Sequence, residues 1–111
     1  MPEQRTICLI PIPFSDLTSV KKRPVLIISN DDYCSENEDI LVMALTSNLS
    51  DKKYSLMVMK ANMESGELLH DSLIRADKIY SIKKSFIIKS FGKLAQNKFD
   101  ESIALLLQLI K

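Results

Sequence analysis

A mainly β fold closed by one C-terminal helix is what this sequence predicts, on three observations. Six stretches between Thr6 and Phe91 are apolar or β-branched and have the length of strands. No helix-length segment separates them, so βαβ units are excluded, and only the tail after Asn97 shows a helical period. With just two glycines in 111 residues, the expected architecture is a small, strongly curved antiparallel sheet or open barrel with the helix packed on it. The length suits a single domain, residues 1–111, with room for one core.

Thr6-Ile-Cys-Leu-Ile-Pro-Ile12 reads as the opening strand, punctuated by Pro11 and Pro13. A polar loop ending in the cationic Lys21, Lys22 and Arg23 leads to the second strand, Val25 to Ser29, an apolar run short enough to be buried on both faces. Pro24 starts that strand, where its missing N–H does least harm, and pushes Arg23 into an extended conformation. Asn30 to Asp39 carries five carboxylates and no Lys or Arg, and is expected to be a solvated connection. Ile40 to Leu45 forms the third strand and stops at Thr46, Ser47 and Asn48, side chains that bond readily to local backbone or to a ligand.

Tyr54 to Lys60 alternates weakly and favours a fourth strand, whereas Ala61 to His70, with Gly66, is expected to cross the surface irregularly. Ser72 to Tyr80 alternates, placing Leu73, Arg75, Asp77 and Ile79 on one side and Ile74, Ala76, Lys78 and Tyr80 on the other. Phe86 to Phe91 is the last strand, ended by Gly92. Phe99, Ile103, Leu106, Leu107 and Ile110 then recur at helical spacing from about Asn97 to Ile110, with Asn97 as the expected cap and Asp100 and Glu101 in the first turn against the helix dipole. Leu105 and Leu109 widen the apolar face enough for a second surface to cover.

Composition narrows the function classes. Apolar residues make up 46% and charged ones 26%, which excludes a disordered chain, and the formal net charge of +1 means that nucleic-acid affinity has to come from local patches. No apolar run spans a bilayer and Met-Pro-Glu-Gln-Arg lacks the apolar core of a secretion signal, so the expected compartment is the cytoplasm. Cys8 and Cys34 form no CxxC, the carboxylates at 31–39 lack calcium-loop spacing, and nucleotide-binding glycine motifs are missing; no metal and no cofactor are expected. The single histidine, His70, cannot supply a histidine pair and lacks a partner motif for acyl transfer.

What remains is a set of polar groups at strand ends: Arg23, Thr46, Ser47, Asn48, Arg75 and Asp77. Guanidinium groups bind phosphate bidentately and stabilise a pentacoordinate phosphorus, hydroxyls donate to its oxygens, and a carboxylate takes the proton of a ribose 2′-OH. The same residues also read as a turn at Thr46–Asn48 and a same-face ion pair at Arg75 and Asp77.

Five motifs in order carry a resemblance over nearly the whole chain. Pro11-Ile-Pro-Phe-Ser-Asp-Leu17, Lys22-Arg-Pro-Val-Leu-Ile-Ile-Ser-Asn30, Ala44-Leu-Thr-Ser-Asn48, the segment Gly66 to Ile79 and the segment Phe86 to Leu94 resemble the MazF/PemK (Kid-like) toxin family of type II toxin–antitoxin systems. The resemblance implies an SH3-like (CcdB/MazF-like) small β-barrel that forms a homodimer. It implies a metal-independent endoribonuclease of single-stranded RNA, leaving a 2′,3′-cyclic phosphate and a 5′-hydroxyl, and inhibited by an acidic antitoxin through which alone duplex DNA is reached.

Residue by residue, the catalytic arginine and threonine of one branch fall on Arg23 and Thr46, and the arginine and aspartate of the other on Arg75 and Asp77. RNA contacts are then expected from Phe14, Ser15, Asp16, Lys21, Lys22, Ser47 and Asn48, with Phe14 able to stack on a base or to pack in the core. One departure stands out. Where the family opens with Gly-Asp-Ile, this chain reads Arg5-Thr6-Ile7, which keeps a second reading open: a catalytically weak or inactive relative that binds an antitoxin or other protein.

Overall fold

Antiparallel pairing runs through the whole β region of the computed structural model, which describes residues 2–13, 20–50 and 53–111. The strands are β1 (Thr6–Pro13), β2 (Val20–Ile27), β3 (Asp39–Thr46), β4 (Ser55–Val58), β5 (Met63–Gly66), β6 (Ser72–Lys83) and β7 (Lys89–Leu94). Two helices, α1 (Asp31–Glu36) and α2 (Gln96–Ile110), complete the described elements together with two short 3-10 turns. The strands form one curled sheet in the order β4-β6-β3-β2-β1-β7-β5, a half-barrel with the helix at the C-terminus, as expected.

Several element bounds differ from the sequence reading, each for a physical reason. β2 begins well before Pro24, so Lys21, Lys22 and Arg23 lie in the strand and not in the loop leading to it. Pro24 sits opposite Leu9 of β1, and pairing with β3 begins one residue later, at Val25 opposite Ala44. The proline thus falls where its missing N–H removes no bond from the β2–β3 ladder. The acidic segment folds into α1, because Asn30 Oδ1 accepts the Tyr33 N–H at 2.8 Å and Asp31 and Asp32 stand in the first turn. The stretch expected to be irregular contains β5, and the last strand is shifted three residues past its expected start, with Lys84–Phe86 in a 3-10 turn.

Gly92 is inside β7 and not at its end. It faces Gly66 of β5 at the sheet's edge pair, both with positive φ (138° and 74°). A Cβ on Gly66 would stand 1.9 Å from the Phe91 carbonyl oxygen, and one on Gly92 2.1 Å from that of Ser65. The chain's only two glycines are therefore used together, to let two backbones touch.

The buried side chains fall into two clusters, where one core was expected. Leu26, Met43, Leu45, Ile74 and Leu94 form the first, covered by Phe99 with the partly buried Ile103 and Leu106 of α2. Cys8, Ile10, Val25, Ile27, Ile40 and Val42 form the second, covered by Cys34 of α1. Alternation along β2 and β3 sends neighbouring residues to opposite clusters, so the two sheet faces are each buried over part of their area.

In α2 the cap is Ala95 with no side-chain bond, not Asn97, and the earlier start leaves Asp100 in the second turn, where it accepts from Gln96 Nε2 at 2.9 Å. Leu107, Leu109 and Ile110 are exposed, so the buried stripe stops at Leu106.

Arg5 adopts φ 75°, the left-handed backbone that glycine would take without strain. Its position is held on three sides: its N–H donates to the Ile27 carbonyl at 2.9 Å, its carbonyl accepts from Leu94 N–H at 2.8 Å, and its Nη1 donates to the Leu94 carbonyl at 2.8 Å. An ion pair with Glu64 at 3.1 Å completes the clamp and pulls that carboxyl below its usual range.

Candidate functional site

Three of the candidate residues share one sheet face, through a row of strand partners. Val25 of β2 faces Ala44 of β3, and Ala44 also faces Arg75 of β6. Arg23 stands two residues before Val25 and Thr46 two after Ala44, so alternation puts Arg23, Thr46 and Arg75 on the same side. Thr46 faces Leu73, which makes Arg75 its diagonal neighbour across the β3–β6 pair, within reach of a long side chain.

Asp77 reaches this group through a bulge. Met43 faces Ile79 while the next residue, Ala44, faces Arg75, so Ala76, Asp77 and Lys78 have no partner on β3. Ala76 donates its N–H to the Tyr54 carbonyl at 2.9 Å instead, which pulls the strand towards β4. Strict alternation therefore fails beyond Asp77, although Leu73, Arg75 and Asp77 keep their expected relation.

Arg75 and Asp77 form a fork-to-fork pair, Nε to Oδ1 at 2.8 Å and Nη2 to Oδ2 at 2.7 Å. Hydrogen bonding to Arg75 is the main cause that holds the Asp77 carboxyl below its ordinary range, and the same contact raises Arg75. At neutral pH the pair is a fixed guanidinium with an ionised carboxylate beside it.

Thr46, Ser47 and Asn48 do form a turn. Asn48 N–H donates to Thr46 Oγ1 at 3.2 Å, and Asn48 Oδ1 accepts from both Ser50 N–H (3.1 Å) and Ser50 Oγ (2.6 Å). Thr46 Oγ1 is the acceptor in this bond, which therefore does not use its own proton. Asn48 thus gives its N–H and Oδ1 to the turn, while its Nδ2 takes part in none of these bonds.

A cavity of about 230 Å³ has Lys22, Arg23 and Ser47 in its lining; of the group only Arg23 lines it, and Leu45 and Ser47 alternate to the other side of β3 from Thr46. Lys21 is an exposed residue of β2. Phe14, Ser15 and Asp16 lie outside the described residues. The larger cavity, about 540 Å³ and lined by Thr6, Cys8, Ser90 and Lys93 among others, holds none of the candidate residues. Burial pushes the Cys8 thiol up to about 12, so it offers no thiolate nucleophile there. Among the described residues no group of three or more His, Cys, Asp or Glu is placed to hold a metal ion, and no helix is long and apolar enough to cross a membrane.

Sequence reasoning set His70 aside because it lacked a catalytic partner, yet His70 lines the cavity beside Arg23.

Comparison with known proteins places this geometry in context. A family model described as PemK-like, MazF-like toxin of type II toxin–antitoxin system matches residues 3–110. No curated protein sequence matches the chain. Among solved structures, an endoribonuclease in complex with its cognate antitoxin from a mycobacterial species is similar with a TM-score of 0.78, at 15% identity, over 99% of this chain and 95% of that one. A MazE–MazF structure from Deinococcus radiodurans gives 0.80 at 13% identity, over 98% and 95%. The Mycobacterium tuberculosis toxin MazF-mt6 gives 0.73 at 20% identity, over 95% and 94%. At these identities the likeness establishes the fold.

Proposed function

Because this chain belongs to the PemK-like, MazF-like toxin family of type II toxin–antitoxin systems, we propose that it is an endoribonuclease that cuts single-stranded RNA without a metal. The ribose 2′-oxygen attacks the adjacent phosphorus, the 2′-O–P bond forms, the P–O5′ bond breaks, and the products are a 2′,3′-cyclic phosphate and a 5′-hydroxyl. The observation that carries this reading is the common face of Arg23, Thr46 and Arg75, with Arg75 clamped by Asp77.

Each group has a role suited to its chemistry. Arg23, extended by Pro24, and Arg75 neutralise the charge that grows on the nonbridging oxygens. Thr46, oriented by the turn at Asn48, donates its hydroxyl to one of them. Asp77 is the carboxylate next to the group; when the phosphate draws Arg75 away, its oxygens take the 2′-OH proton, and an arginine assists the departing 5′-oxygen. Lys21, Lys22 and Ser47 border the strand, and Phe14, Ser15 and Asp16 belong to the same proposed RNA-binding segment.

The proposed working form is a cytoplasmic homodimer whose RNA groove is also the target of an acidic antitoxin, with duplex DNA reached only through that partner. The neighbouring structures named as an endoribonuclease with its cognate antitoxin and as MazE–MazF support the antitoxin partner in this reading.

The inactive-relative reading rests on Arg5-Thr6. The left-handed backbone of Arg5 weakens it, since the conformation a glycine would supply is retained and the remaining departure is Thr6 in place of an aspartate. The test is incubation of the pure chain with a long RNA in EDTA, followed by analysis of the new ends. Discrete fragments with cyclic-phosphate and 5′-hydroxyl termini are expected, lost in Arg23→Ala. Intact RNA with the natural chain, and cleavage only after Arg5→Gly with Thr6→Asp, would establish the inactive reading instead.

A further inference from the structure

We propose that the cavity beside Arg23 is a subsite for one nucleobase of the RNA strand, with His70 and Ser47 reading the base edge. The proposal deepens the endoribonuclease reading and rests on it. The cavity holds about 230 Å³, less than the roughly 300 Å³ at which pockets for drug-sized ligands begin. That space suits a single planar ring system. Buried Leu45 and Leu68, with the half-buried Phe91, supply apolar and aromatic wall. Single-stranded bases are held this way, by stacking on the ring face and hydrogen bonds at the edge.

The polar groups sit where an edge would be read. His70 offers a ring donor and acceptor, and Ser47 a hydroxyl that serves as either. His70 is positioned through its main chain: buried Ser72 Oγ donates to the His70 carbonyl at 3.0 Å, fixing the residue at the start of β6. Lys22 and Arg23 also line the cavity, beside the apolar Leu9, Pro24 and Leu69. Their charge is complementary to the phosphates that flank an extruded base, which selects a nucleotide over an apolar protein side chain. An acidic peptide would satisfy the cations but brings no planar edge of donors and acceptors.

The experiment uses the full chain and non-cleavable 2′-O-methyl RNA hexamers carrying 2-aminopurine at each position in turn. One position is expected to gain fluorescence on binding and to lose acrylamide quenching by about fivefold, while the ring signals of His70, the sole histidine, shift in NMR spectra. On a cleavable RNA library, His70→Ala is expected to flatten base preference at one position by about tenfold, with preferences elsewhere unchanged. His70→Gln, which keeps a donor and an acceptor, is expected to retain part of that preference.

Equal quenching at every position, with RNA still bound and cut, overturns the subsite and leaves the nuclease reading standing. Protection at one position without any cleavage supports the subsite and overturns the nuclease reading; no RNA binding at all overturns both. His70 signals that move with a polyglutamate peptide and not with the hexamers assign the cavity to a protein partner and overturn the proposal.

Discussion

Arg75 and Asp77 show how much of a site depends on a two-residue relation. Their forked pair lowers the Asp77 carboxyl, so the contribution of that carboxylate to stability is present above its unfolded value of about 3.9 and is lost as pH falls through the still lower folded value. The stability gap between the natural chain and Asp77→Asn is therefore expected to stay constant from pH 5 to 8 and to close below about pH 4. Thermal melts at several pH values check this, and a gap that widened on acidification would contradict it. At Arg5 the strain and the partners separate by substitution. Arg5→Gly removes the left-handed strain while Arg5→Ala keeps it, and both lose Glu64, so the alanine variant is expected to be about 1 kcal/mol less stable than the glycine variant in urea unfolding.

Elements were legible where local chemistry sets them and obscure where distant pairing does. Arg23 was legible because Pro24 follows it, and Arg75 with Asp77 because their spacing is two. The bulge that sets Asp77 beside the group was not legible, since it depends on Tyr54 and Met43, each more than twenty residues away. α1 was written in Asn30, Asp31 and Asp32 as a cap and first turn, but five carboxylates without a Lys or Arg between residues 30 and 39 outweighed those signals. β5 has four residues and an irregular register, too little for any period to show. The glycine pair was invisible for the same reason: nothing local links residue 66 to residue 92. Either glycine changed to alanine places a Cβ about 2 Å from a backbone oxygen at positive φ. A loss of about 3 kcal/mol or more is expected, seen as a fall in Tm of 10 °C or more. An unchanged melting curve would show that β5 and β7 part without cost.

At the scale of the molecule, a net charge of +1 leaves no field to gather RNA from a distance. Attraction has to come from a few cations of β2 and β6, Lys21, Lys22, Arg23 and Arg75, the last already paired with Asp77. With about three phosphates neutralised, RNA affinity is expected to fall with salt at a slope of about −2 on a log–log plot. A slope near −6 would mean that the lysines of β6 and β7, on other parts of the surface, carry the strand. The half-barrel also explains why two clusters replace one core: α2 covers one face and α1 part of the other, which leaves polar groups to be held together by β2, β3 and β6, Arg23 and Arg75 within their strands and Thr46 at the end of β3.

The central claim is that Arg23, Thr46 and Arg75 act on one phosphate because one row of partners puts them on one face. A double-mutant cycle on single-turnover RNA cleavage, with Arg23→Ala, Thr46→Ala and the pair together, tests it most directly. Groups that share a phosphate are expected to lose about 10²–10³-fold each and much less than the product when combined. Losses that multiply fully, or a rate untouched by either change, would contradict a shared phosphate on this face.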